Sequence, residues 1–201
     1  MYNLIHFLHL QKENPELLDA DMKLAIEKKT MLSAENLVAS MEDMLLWSKG
    51  QMENFKPQPT KIAVKDLFED IQKYFSSEEK VIIAFEKTQN FQIHTDENYL
   101  KTIIRNLTGN AIKALEKTEK PTILWKAWQE NLQYYLSITD NGPGGTQEQF
   151  KALYDDTEVV GIKTGLGLHL IRDLAKAIDC QIEVDTKENI GTTFTLAFKT
   201  I

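Results

Sequence analysis

Asn106, Asn110 and Lys113 are the residues whose types and spacing first suggest chemistry. They recur at helical steps within Asp96 to Leu115, so two carboxamides and an ammonium lie in a row along one helix face. Amide oxygens are hard donors suited to Mg²⁺, and a lysine supplies a point charge for phosphate. Asn is a weak helix former, so two of them in mid-helix need a reason; a solvated face with incidental Asn is the plain alternative. Two glycine clusters add to the pattern. Asp140-Asn141-Gly142-Pro143-Gly144-Gly145 ends a strand and places a carboxylate, able to accept from an exocyclic amine, beside backbone that a flat ring can approach. Gly161-Ile162-Lys163-Thr164-Gly165-Leu166-Gly167-Leu168 runs into a helix, whose N-terminal amides favour phosphate. Singly, the first is an ordinary turn composition, and the second lacks the lysine-containing ending of a P-loop.

The elements that position these residues follow from periodicity. In the central helix, Ile103, Ile104, Leu107, Ala111 and Leu115 form an apolar stripe opposite the polar row. Before it, Ile62 to Phe75 reads as a short strand and a helix with Val64, Leu67, Phe68, Ile71 and Tyr74 inward. Val81 to Phe85 and Phe91 to His94 read as short strands. Strands are predicted at Thr122 to Trp128 and at Leu132 to Thr139, the latter with Leu132, Tyr134, Leu136 and Ile138 on one face. A helix at Leu168 to Ile178 and closing strands at Gln181 to Asp185 and Thr192 to Phe198 complete the chain. Helices that follow short antiparallel strands without strict alternation predict an α+β sandwich: a mixed, largely antiparallel sheet covered by helices on one face.

The N-terminal part has another period. Leu17, Leu24, Met31, Val38, Leu45 and Met52 are seven apart, with Ala20, Ala34, Met41 and Ser48 at the intervening positions, as in a coiled-coil seam. Leu37 and Met44 widen the stripe toward a four-helix bundle. This helix of about 35 residues is paired with a short helical fragment that stops near Pro15, so the hairpin reads as truncated in its first arm. The prolines of Asn54 to Thr60 break the helix. The predicted organisation is therefore a helical hairpin over 1–53, a linker over 54–60 and an α+β domain over 61–201.

Composition narrows the function. A net charge of −7 over 201 residues argues against general nucleic-acid binding, which needs a basic face. Cys180 is the sole cysteine, so no disulfide framework exists and a buried structural thiol is expected. No apolar run approaches the ~20 residues of a membrane span. His94, His169 and the carboxylates have no metal-ligand spacing.

The order of the motifs is more specific than any one. Asn-x-x-x-Asn-x-x-Lys on a helix, a strand ending in Asp-x-Gly-x-Gly, Gly-Leu-Gly-Leu opening a helix and Gly191-Thr192-Thr193-Phe194 in the last strand resemble the ATP-binding domain of bacterial sensor histidine kinases. That superfamily also includes gyrase, mismatch-repair and heat-shock ATPases. The run Met44-Leu45-Leu46-Trp47-Ser48-Lys49-Gly50-Gln51 is similar to the end of the kinase dimerisation and phosphotransfer hairpin, so the resemblance spans the chain.

The resemblance implies ATP and Mg²⁺ as ligands, with Asn110 as metal ligand, Asn106 assisting and Lys113 contacting phosphate. Asp140 would read the adenine amine beside Gly142 and Gly144, while Gly165, Gly167 and Leu168 would turn around the phosphates. Thr193 is implied at the adenine wall, and Thr146 to Thr164 matches a mobile lid. Lys163 stands where the first Gly of the motif is usual, a change expected to stiffen the lid or to add a phosphate contact. Gly145 replaces an apolar residue and Ala114 a common aromatic.

The family's phosphoacceptor histidine has no counterpart. His6 and His9 lack its sequence context, so the acceptor is expected upstream of Met1 and the fragment is expected not to phosphorylate itself. For the parent, the resemblance implies a cytoplasmic kinase core, in a protein that can be membrane-anchored, acting through histidine to an aspartate of a response-regulator receiver domain. The hairpin implies a homodimer, and the fragment makes no membrane contact. The rivals are a non-catalytic dimeric docking module with a degenerate nucleotide domain, and a serine kinase or direct ATP hydrolase. Asn106 stands where the hydrolases carry Glu, which disfavours hydrolysis.

Overall fold

The computed structural model describes residues 56–76, 78–86, 91–155 and 167–199, with single helical positions between 23 and 48. Backbone contacts divide the chain into two units, Met1–Glu53 and Asn54–Ile201. In the first unit Leu24, Met31, Val38, Met41 and Leu45 are helical, and each is more than half exposed. The fragment before Pro15, together with Leu17, Ala20, Leu37 and Met52, lies outside the described residues.

The second unit is α+β. β1 (Pro59–Ala63) pairs antiparallel with β3 (Gln92–Asp96) in a small sheet. A five-stranded sheet has the order β2 (Ile82–Phe85), β4 (Thr122–Glu130), β5 (Gln133–Asp140), β7 (Gly191–Lys199), β6 (Gln181–Lys187), with only β2 and β4 parallel. α1 (Val64–Tyr74), α2 (Glu97–Ala114) and α3 (Gly167–Ala177) supply the helical layer. β1 begins at Pro59, inside the stretch read as linker. A proline is tolerated there because the first residue of an edge strand need not donate to the ladder.

One face of the sheet is apolar by simple alternation. Ile123, Trp125 and Ala127 of β4, Leu136 and Ile138 of β5, and Phe194, Leu196 and Phe198 of β7 are all buried. α2 contributes Leu100, Ile103, Ile104, Leu107 and Ala111, as its period predicts. Burying each large aliphatic side chain stabilises the fold by about 1.5–3 kcal/mol. Phe68 of α1 sits 5.0 Å from Phe85 and 6.3 Å from Trp125, ring centre to ring centre, and closes this end of the core.

α2 is fixed at its start and along its flank. The Asp96 side chain caps the helix by accepting from the Tyr99 N–H at 2.9 Å, and it also accepts from Gln58 N–H at 2.7 Å. Arg105 makes a bidentate pair with Asp70 of α1 at 2.9 and 2.7 Å. Its guanidinium also lies 4.5 Å from the centre of the Tyr74 ring. That contact corrects the inward assignment of Tyr74, which is 42% exposed and serves as a platform for Arg105.

Leu132 is corrected too. It is 75% exposed and lies outside β5. Asn131 and Leu132 have φ of 48° and 61°, both positive, as a two-residue hairpin turn requires. A 3-10 helix at Gln147–Leu153, opened by a Thr146–Gln149 capping box, was not foreseen.

Candidate nucleotide site

The polar row of α2 faces the start of α3. Asn106 and Asn110 are half-buried and Lys113 is exposed in the last turn. Asn106 Nδ2 donates to Thr102 O at 3.1 Å. Its Oδ1 is turned toward Gly167: a Cβ on that glycine would lie 3.2 Å from it and 4.0 Å from Asn110 Nδ2. The structure thus brings the two amides against the first residue of α3, where free N–H groups and the helix dipole favour an anion. The Asn110 amide has no hydrogen-bond partner among the described residues. Leu168 is half-buried in the first turn of α3, while Lys163 and Gly165 lie outside the described residues.

The second wall is built at the ends of three strands. Asp140 closes β5 and is 6% exposed. Burial raises its carboxyl above the ordinary aspartate value, an effect the N–H groups of Gly142 and Thr192 partly offset. The Gly142 N–H donates to Asp140 Oδ1 at 2.9 Å. A Cβ on Gly142 would stand 2.8 Å from that same oxygen, so only glycine leaves the carboxylate its place. Gly142 also passes the C-terminal end of α2, its missing Cβ lying 3.5 Å from Leu115 Cδ2.

Beside this loop opens a cavity of about 410 Å³, lined in part by Lys113, Ala114, Asn141, Gly142 and Asn189. Lys113 and the Asp140 loop therefore share one cleft. Asn141 ties the loop to the neighbouring strand, accepting from Thr122 N–H at 2.8 Å and donating to Lys120 O at 3.1 Å.

Thr193 is not brought to the Asp140 wall. The register pairs it with Thr139, and the two hydroxyls lie 2.9 Å apart on the opposite face of the sheet. Thr192 is the register partner of Asp140, so its side chain shares the Asp140 face and is buried. Strand alternation could have found it, because Thr192 has the parity of the buried Phe194, Leu196 and Phe198. Sequence reading also passed over Arg172. Its Nη1 donates to Asp155 O at 2.9 Å and Ala152 O at 3.3 Å, tying α3 to the end of the 3-10 helix.

A buried carboxylate held by glycine backbone, a cleft lined by Lys113 and the Asp140 loop, and an amide pair beside the start of α3 are the features to be compared with known proteins. The profile describing histidine kinase-, DNA gyrase B- and HSP90-like ATPases matches residues 95–200, which hold all of these features. The chain belongs to that family. Within it, the chain carries a bacterial sensor histidine kinase catalytic domain. It is 29% identical over 141 residues to the sensor histidine kinase YvrG of Bacillus subtilis, covering 67% of this chain and 24% of that protein. It is 34% identical over 107 residues to the histidine protein kinase SaeS of Staphylococcus epidermidis, covering 50% of this chain and 30% of that one. The chain therefore spans less than a third of the length of either relative. In fold it is similar to the Acinetobacter baumannii histidine kinase AdeS, with TM-score 0.68, 19% identity and coverage of 99% of this chain and 94% of that one. A second likeness is to the histidine kinase ThkA in a complex with the response regulator TrrA, with TM-score 0.61, 18% identity and coverage of 100% and 59%. No helix among the described residues is long and apolar enough to cross a membrane.

Proposed function

We propose that the chain binds Mg-ATP as the kinase core of a two-component sensor histidine kinase and presents the γ-phosphoryl group for transfer to a histidine, then to a response-regulator aspartate. The observation that carries this reading is Asp140: a buried carboxylate whose proton affinity burial raises, seated against a glycine that leaves its oxygen room. Desolvating a carboxylate is costly, and a ligand that donates to it restores part of the lost solvation. The adenine amine is such a donor.

Asn106 and Asn110 suit a divalent cation, since both amides approach Gly167 at the α3 start and Asn110 has no hydrogen-bond partner among the described residues. When bound there, Mg²⁺ supplies charge that offsets the phosphates. Lys113 reaches the cleft from the exposed end of α2 and adds a point charge, while Gly167 leaves room for phosphate at the α3 amides. Lys163, Gly165 and Leu168 complete the proposed phosphate wall. Positioning and electrostatics would then do most of the work of phosphoryl transfer.

The exposed heptad positions Leu24, Met31, Val38 and Leu45 support a homodimer through the helical hairpin. The organisation into a hairpin over 1–53, a linker from 54 that gives way to β1 at Pro59, and a catalytic domain running to 201 belongs to the same proposal, as do a response-regulator receiver domain as partner and a cytoplasmic location. The exposed seam also suits the rival reading, a docking module without turnover. Calorimetric titration of a Mg-ATP analogue separates the two: wild type binds only with Mg²⁺, and Asn110→Asp and Asp140→Ala lose binding. A folded wild type that binds no nucleotide overturns the kinase reading and favours the docking module.

A further inference from the structure

β5, β7 and β6 end side by side at the glycine-rich loop, and each places one polar residue on the same face. The register pairs Asp140 with Thr192, and Thr192 with Thr186. Paired residues point to the same side of a sheet, so a carboxylate and two hydroxyls form a row across the strand ends. Its two hydroxyls are hydrogen-bonded to each other. Thr186 Oγ1 lies 3.0 Å from Thr192 Oγ1, and it accepts the Gly145 N–H at 2.9 Å.

We propose that Thr186, which lies outside every glycine motif, is a positioning residue for purine recognition: it holds the Thr192 hydroxyl so that Thr192 donates its proton to the base. The inference rests on the nucleotide reading of Asp140 given above. A hydroxyl has one proton and two lone pairs. The Gly145 N–H occupies one lone pair of Thr186. The Thr186 proton then has two acceptors in reach, Thr192 Oγ1 at 3.0 Å and Gly191 O at 3.4 Å, and the shorter bond is the stronger. Thr192, receiving that proton, keeps its own for donation on the side it shares with Asp140.

The pair then reads a specific edge. Asp140 accepts from an amine while Thr192 donates to the neighbouring ring nitrogen, directly or through one water. Adenine presents that pattern, with an amine at C6 and an acceptor at N1. Guanine presents the reverse, a carbonyl at C6 and an N1–H. The Thr186 hydroxyl therefore favours adenine through Thr192, without touching the base.

Thr186→Val keeps the shape of the side chain and removes the hydroxyl. The loop has other attachments to the β6–β7 hairpin that do not use this hydroxyl. Asn189 N–H donates to Pro143 O at 2.7 Å, and Gly144, at φ +67°, packs so closely that a Cβ there would stand 2.1 Å from Lys187 O. The loop is thus held in the variant while the proton relay is cut.

The test is a cycle between this residue and the ring nitrogen. Affinities of Mg-ADP and of its 1-deaza analogue, in which CH replaces the ring N1, are measured by calorimetry for wild type, Thr186→Val and Thr186→Ser. Wild type prefers ADP by about fivefold, the gain of one net hydrogen bond. In Thr186→Val that preference falls to nearly one, through weaker ADP binding and unchanged analogue binding; Thr186→Ser restores it. An undiminished preference in Thr186→Val overturns the relay. So does an equal loss of both ligands, which makes Thr186 a buttress of the loop only. Failure of folded wild type to bind ADP removes the nucleotide reading and the relay together, and is recognised before any variant is made.

Discussion

The two faces of α2 are made by one stretch of backbone and behave oppositely. Leu100, Ile103, Ile104 and Leu107 are fully buried against the sheet. Asn106, Asn110 and Lys113, interleaved with them, are half-buried or exposed and add nothing to the core. The difference shows how a weak helix sequence is tolerated: the apolar stripe, the Asp96 cap and the Arg105–Asp70 pair hold the helix, so the fold does not need the polar row. Stability and binding therefore separate by face.

The largest expected effect comes from the buried face. Leu107→Ala should lower unfolding free energy by about 2–5 kcal/mol, measured by denaturant titration; a loss below about 1 kcal/mol would break the comparison. On the other face, Asn110→Ala should leave stability within about 0.6 kcal/mol, since Ala is the better helix former. Mg-nucleotide affinity should nevertheless fall at least about tenfold by calorimetry, through loss of a charge-facing ligand.

Asp70→Ala removes the partner of Arg105 on the flank. Both side chains are partly solvated, at 34% and 20% exposure, so the expected cost is about 1 kcal/mol with nucleotide affinity unchanged. Smaller still is the effect of Asp140→Asn on the unliganded fold. Because folding raises the Asp140 pKa, the folded state holds the proton more tightly, and stability declines as pH rises from the ordinary carboxylate range through the raised value. The amide removes that penalty, so the melting temperature at neutral pH should hold or rise and its pH dependence flatten, even as nucleotide binding is lost. Cys180 should show no effect at all: burial pushes its thiol up to about 12, so a maleimide should leave it unmodified at neutral pH until the protein unfolds.

What the sequence made legible was mostly periodic. The α2 stripe, the buried positions of α1 up to Ile71 and the inward Phe194, Leu196 and Phe198 followed from their spacing. Tyr74 has the spacing of a core residue, yet Arg105, distant in sequence, draws it to the surface. Leu132 continues the alternation of β5, but turn geometry takes precedence over its apolar character. Within the candidate site, Asn106, Asn110 and Asp140 are proposed from residue type and order, and the structure places Asn106 and Asn110 beside the α3 start and Asp140 at the end of β5. Motif matching pointed to Thr193, whereas strand parity puts Thr192 on the face of Asp140 and Thr193 on the other. Thr186 carries no local signal, since its role exists only once β6 lies beside β7.

The most direct test of the division between the two faces is an amide NMR titration of the chain with Mg-ADP. The account predicts shifts in the side-chain amides of Asn106 and Asn110 and in the backbone amides of Gly142 and Gly145, with Tyr74 and the Arg105 side chain unmoved. Shifts confined to other surfaces, or none at saturating nucleotide in a folded sample, would contradict it.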